Sequence, residues 1–92
     1  MISIVAKFTV KEEEEEKFLA MVNELGEASR AEEGCIEYIL HKHAEKTLTY
    51  CILERWKNQA AIDGHNNSGH FTAIVPKITE IAQAEIDVYK PV

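Results

Sequence analysis

The apolar residues of this chain change period along its length, and the order of those changes leaves few architectures open. From Ile2 to Val10 every second residue is apolar: Ile2, Ile4, Ala6, Phe8 and Val10 share one face, as in a strand with one buried side. Phe18, Met21, Val22, Leu25 and Ala28 then recur at helical spacing. They predict a helix over Glu13–Ala31, opened by a Thr9-x-x-Glu12 capping box and stopped by a left-handed Gly34. Alternation returns in Cys35–His43, with Ile36, Tyr38 and Leu40 on one face, and in Thr47–Trp56, with Leu48, Tyr50, Ile52, Glu54 and Trp56. A few polar residues separate these two runs, which predicts an antiparallel hairpin. Asn58 caps a short helix weakened by Gly64, Asn66 and Asn67 form a loop, and Ser68 caps a further helix. Its stripe is Phe71, Ile74, Val75, Ile78, Ile81 and Ala82, with Pro76 inside it predicting a kink or a split. Glu85–Lys90 closes the series as a strand, Ile86 and Val88 alternating with Asp87 and Tyr89.

A βαββαβ order specifies a ferredoxin-like α+β fold: a four-stranded antiparallel sheet with helices on one face, here one domain over residues 1–92. The even-numbered faces of the first three strands are the most apolar and are expected to meet the helices. The opposite face carries Val5, Ile39, Cys51 and Leu53 among Lys7, Thr49 and Arg55. So much apolar area on a bare sheet face predicts a homodimer. Small size favours the same outcome, since such a domain buries under ~70% of its unfolded surface. In the expected hairpin Cys35 lies across from about Arg55 and Cys51 across from about Ile39, too far apart for a disulfide. Free thiols fit a reducing compartment.

Charge and hydropathy narrow the function. A net charge of -6 gives a phosphate backbone no basic face to bind, so nucleic acid is not an expected partner. After Met1 the chain enters strand pattern directly, with no signal-like segment and no apolar run near the ~20 residues of a bilayer span. The expectation is a cytoplasmic protein with no membrane partner. The five acids Glu12–Glu16 fit a solvated helix start, where negative charge suits the helix dipole. His41 and His43 share a strand face without a nearby third ligand, and His65 and His70 lack the spacing of a zinc-binding helical pair. No metal is expected.

Chemistry is expected where the sheet hands over to the helices, from Glu54-Arg55-Trp56 through Phe71, which holds the only Trp and two of the four His. Glu54 on an apolar face is costly to bury alone and should be bonded to Arg55, a histidine or backbone amides. These residues carry a family resemblance. Glu33-Gly34-Cys35 with Tyr38, then Glu54-x-Trp56, His65, Ser68, His70 and Phe71, resemble the antibiotic biosynthesis monooxygenase domain, including small bacterial quinol monooxygenases. The resemblance implies a dimeric α+β barrel of two ferredoxin-like sheets, with a pocket between sheet and helices in each subunit. It also implies oxidation of quinols or phenols by dioxygen without metal, flavin or haem. The Asn, Trp and His of haem-degrading relatives fall near Ala6, His65 and Val75, so haem degradation is not expected.

Such a reaction needs a base near neutrality, apolar or aromatic walls, and donors for an oxyanion. His65, Trp56 and Glu54 are the expected catalytic residues, with Tyr38, His70, Phe71 and Tyr50 against substrate. Trp56 offers a wall and an indole donor, and the amides after Ser68 a cradle for negative charge. Two other functions compete: a non-catalytic dimeric domain binding a small molecule, and isomerase-type chemistry. The latter needs a cationic pocket, for which only Arg55, Lys57 and Lys77 are near.

Overall fold

The computed structural model describes all 92 residues. Strand β1 (Ile2–Val10) leads through a 3-10 turn (Glu12–Glu14) into α1 (Glu15–Arg30). The hairpin β2 (Cys35–Lys42) and β3 (Thr49–Trp56) follows, then α2 (Gln59–Asn66), α3 (Gly69–Ile81) and β4 (Ala82–Tyr89). The sheet runs β2-β3-β1-β4, antiparallel throughout, the expected ferredoxin-like arrangement. Ile2, Ile4, Ala6, Phe8 and Val10 are all buried, as are Tyr38, Tyr50, Ile52 and Trp56 on the same face. Phe18, Val22 and Leu25 of α1 and Ile74 and Ile78 of α3 cover them, so the period-of-two and period-of-3.6 stripes meet as layers.

Local details differ from the expectations. Thr9 pairs with Thr49 inside the sheet, and neither the 3-10 turn nor α1 has a side-chain cap, so the Thr9–Glu12 capping box does not form. The acid run is not wholly solvated, because Glu15 accepts a hydrogen bond from the Tyr50 hydroxyl. Leu48 is not part of β3. It turns the chain at φ 55°, and its carbonyl accepts from Val10 N–H. Pro76 does not split α3. Thr72, whose carbonyl loses its helical donor to the proline ring, is exposed, so water can replace that bond. β4 begins at Ala82, directly from the helix, three residues before the expected start.

Gly34 is not left-handed; no glycine here has positive φ. Its need is close approach: a Cβ at Gly34 would stand 2.3 Å from the Ala61 Cβ, while its carbonyl accepts from Lys57 N–H at 3.0 Å. Just after it the register slips. Cys35 pairs with Trp56 and Glu37 with Arg55, leaving Ile36 as the extra residue, exposed rather than inward beside Tyr38. Cys51 lies across from His41, and both cysteines are free. On the bare face Ile39 and Leu53 are exposed beside half-buried Val5 and Cys51. No helix is long and apolar enough to cross a membrane.

Candidate active site

A cavity of about 390 Å³ lies between the sheet and the α2–α3 side of the helical layer. Thirteen of its 17 lining residues are hydrophobic. Its floor includes Ile4, Ala6 and Ile52, and its roof Ile62, Phe71, Val75 and Ile78. Ile86 and Val88, opposite Ala6 and Ile4 on the helix-facing side of β4, are 57% and 55% exposed. The helices do not reach them, and the cavity opens over this edge. Three titratable side chains line it: Tyr38, Glu54 and His65.

Strand alternation delivers Glu54 to this layer. Its neighbours on the same face, Ile52 and Trp56, are fully buried, and Glu54 is 7% exposed. The expected partners Arg55, histidine and backbone amides do not bond it. Instead Trp56 Nε1–H donates to Glu54 Oε1 at 2.9 Å. Residues i and i+2 of a strand point the same way, so the pair is built by local geometry. Burial pushes the Glu54 carboxyl up to about 7, the Trp56 hydrogen bond working against that and the Glu32 charge with it. Burial, with Glu54 adding to it, also raises the Tyr38 phenol well above its ordinary range.

His65 sits in the last turn of α2, a helix capped by the Asn58 side chain, which accepts from Ala61 N–H at 2.9 Å. Its ring packs on Trp56 (centroids 4.4 Å apart), edge-on to Phe71 (5.1 Å) and Tyr38 (5.8 Å). Ser68 fixes the α2–α3 corner: its hydroxyl donates to the His65 carbonyl at 2.6 Å and accepts from Phe71 N–H at 3.2 Å. Thr72 N–H goes to the Ser68 carbonyl, so the Phe71 and Thr72 amides are spent on the cap, while the Gly69 and His70 amides have no bond within the chain.

Glu32, absent from the sequence-based candidates, holds the histidines. Its Oε2 lies 2.6 Å from His65 Nδ1 and 2.9 Å from His70 Nε2. An ionised carboxylate only accepts, so His65 carries its proton on Nδ1 and leaves the Nε2 lone pair as its free ring acceptor. Burial lowers the His65 pKa, with Glu32 opposing it. Glu32 could not be picked out in sequence, because it is one of several acids around the α1 terminus, 33 residues from His65. Chain reversal alone brings them together.

The expected site residues therefore divide. Glu54, His65, Tyr38 and Phe71 are brought to the cavity. Trp56 is 0% exposed and stands behind Glu54 and His65, so it supports the site rather than walling it. His70 turns to Glu32 and does not line the cavity. Tyr50 packs on Phe18 under α1 with its hydroxyl on Glu15, away from this group. His43 is a turn residue whose Nδ1 accepts from the backbone of Glu45 and Lys46.

Known proteins share this fold over nearly the whole chain. YcnE of Bacillus subtilis (strain 168), provisionally named a monooxygenase, is 39% identical over 90 residues, spanning 98% of this chain and 95% of the relative. The crystal structure of a conserved protein from Methanosarcina mazei Go1 superposes with a TM-score of 0.95 at 34% identity, over 99% of this chain and 92% of that one. A crystal structure described as an antibiotic biosynthesis monooxygenase superposes with a TM-score of 0.92 at 28% identity, over 100% and 99% of the two chains. Residues 1–77 match the family described as antibiotic biosynthesis monooxygenase. The chain belongs to the antibiotic biosynthesis monooxygenase family.

Proposed function

We propose that this protein oxidises a small aromatic hydroxyl compound of quinol type, with dioxygen as the oxidant. The observation that carries the reading is the pairing of one carboxylate and one imidazole, Glu54 and His65, on the wall of an otherwise apolar cavity. A quinol brings an aromatic ring for the walls and two hydroxyls for two acceptors, Glu54 and His65 Nε2. A carboxyl held at about 7 is matched to proton transfer at neutral pH.

Glu54 takes the proton of one hydroxyl. The resulting aryloxide passes one electron to dioxygen, and the aryloxyl radical and superoxide join through a new C–O bond at an unsubstituted ring carbon. Glu54 returns its proton to the peroxide. The ring hydrogen then leaves as a proton while the O–O bond breaks, which leaves a carbonyl, and the expelled hydroxide takes that proton as water. Each turnover converts one hydroxyarene and one dioxygen to one quinone and one water. The apolar lining of Phe71, Val75, Ile78 and Ile52 limits the solvent around the radical pair to what enters over the open β4 edge.

The test is oxygen uptake by the purified protein with substituted hydroquinones and naphthols. Glu54→Gln and His65→Ala should each lower kcat by about 100-fold or more with the fold intact by circular dichroism. Saturable binding of these compounds without oxygen consumption would leave a ligand-binding domain and end the oxidase reading. We further propose that the Val5, Ile39, Cys51 and Leu53 face pairs two copies in the cytoplasm, where the two free cysteines stay reduced. Leu53→Asp should then halve the mass seen in sedimentation; an unchanged mass would place the contact elsewhere.

A further inference from the structure

Glu32, His65 and His70 come from three separate segments: the loop after α1, the end of α2 and the first turn of α3. Their ligating atoms, one carboxylate oxygen and two imidazole nitrogens, all lie within 4.8 Å of one another. We infer that this cluster is a binding site for a divalent cation of the zinc class, behind the cavity and sharing only His65 with its lining.

The donor set is the first argument. Two imidazoles and one carboxylate suit Zn²⁺ and its first-row neighbours, whereas Mg²⁺ and Ca²⁺ call for a mainly oxygen shell. Geometry is the second. Zinc bonds of about 2.0–2.2 Å at tetrahedral angles place donor atoms about 3.3 Å apart. Here Glu32 Oε2 is 2.6 Å from His65 Nδ1 and 2.9 Å from His70 Nε2, so these two separations must widen by well under 1 Å, while the two imidazole nitrogens, within 4.8 Å of each other, must settle at the same spacing. The third argument is burial. His65 is 3% exposed and its ring is clamped by Trp56 and Phe71, while His70 and Glu32 are near one-fifth exposed. One rigid ligand and two movable ones leave an entry side, and a water or external ligand can complete a fourth position there. The net charge of -6 also favours cation capture.

Binding replaces the two protons now shared with Glu32. Metal on His65 Nδ1 requires that ring's remaining proton to sit on Nε2. His65 also lines the cavity, and its free ring nitrogen becomes a donor instead of an acceptor, so occupancy changes which group the histidine can hold there.

The experiment is calorimetric titration of Zn²⁺ into the chelator-stripped protein, with Co²⁺ as a visible-absorbing probe of coordination. One equivalent of Zn²⁺ per chain should bind, with the intense absorption of four-coordinate Co²⁺. Glu32→Gln and His70→Ala should each weaken binding by at least the tenfold that even an outer-shell loss costs. His70→Ala changes a partly exposed residue, so it tests the site even where Glu32→Gln unfolds. A His41→Ala/His43→Ala double variant should bind as the parent does. Absence of stoichiometric binding, or binding unaffected by His70→Ala, or binding lost in the double variant, would overturn the inference. No substrate enters the measurement, so its failure is distinct from failure of the oxidation reading.

Discussion

The layer between sheet and helices has two halves built on different terms. Under α1 aromatic rings pack together: Phe18 lies 5.4 Å from Phe8 and 5.3 Å from Tyr50, the Tyr50 hydroxyl is carried out to Glu15, and the small Ser29 hydroxyl is buried without a partner. Under α2 and α3 it is left open, and there most of the buried titratable groups gather: Glu54, His65 and the Tyr38 phenol around about 390 Å³ of space. The helices follow suit. α1 buries Phe18, Val22, Leu25, Gly26 and Ser29 and has no side-chain cap. α2 and α3 each bury two residues and are each pinned by a capping side chain, Asn58 and Ser68. Packing holds the closed half. Directional hydrogen bonds hold the open one, because packing it fully would remove the site.

Truncation of an aromatic in each half should expose that difference most strongly. Phe18→Ala, from a fully buried position, should cost about 3–5 kcal/mol. Phe71→Ala removes a half-buried ring beside space that already exists, and should cost less than half as much while weakening ligand binding. Urea unfolding of both variants decides it; equal costs would mean the open half depends on packing as much as the closed one.

The next effect is electrostatic and has a definite sign. Folding raises the Glu54 carboxyl from 4.5 to about 7, so the fold favours the protonated form. That contribution is complete below pH 4.5 and is lost as pH rises through 7. The gap corresponds to about 3 kcal/mol at most. Glu54→Gln keeps an acceptor for Trp56 Nε1–H and cannot ionise. It should therefore be more stable than the parent by up to about 3 kcal/mol at pH 8, with the difference gone at pH 4. His65 runs the other way: its lowered pKa gives stability above pH 6.5 that fades as pH falls through the depressed value. Thermal unfolding across pH 4–8 separates them, since Glu54→Gln should leave only the acid-side loss.

Closeness of backbone comes third. Gly34→Ala places a Cβ 2.3 Å from that of Ala61 and should cost about 1–3 kcal/mol by pushing α2, and with it His65, off β2. Ala61→Gly added to it should restore most of the loss. A double variant no better than Gly34→Ala would place the strain elsewhere.

That position also marks how far residue patterns carried. The sheet order and the helical stripes follow from periodicity, which records burial directly, whereas the gathering of Glu54, His65, Tyr38 and Phe71 was expected from the family resemblance. Gly34 was expected as a left-handed stop, because sequence shows a missing side chain without showing what comes close to it. Ile36 broke alternation at a bulge, which shifts register without changing composition. Glu32 and the outward turn of His70 and Tyr50 were illegible for a shared reason. Polar side chains choose partners across space, 33 to 38 residues away here, and no local period encodes the choice.

The smallest effect bears on the hydrogen bonds of the open half. Asn58→Ala removes the acceptor for Ala61 N–H at the start of α2 and should cost about 1 kcal/mol, as such caps do. The helix is only eight residues long and buries only Ile62 and His65, so little packing opposes its fraying. The loss should therefore be local: faster amide exchange through α2, with α1 and β1 exchanging almost as before. His65 lies at the far end of that helix, tied by the Ser68 hydroxyl and by Glu32, so its ring should keep its place while the first turn loosens. Uniform acceleration across all helices would show instead that α2 opens only with the whole molecule, and that the two halves are one cooperative unit despite their different construction.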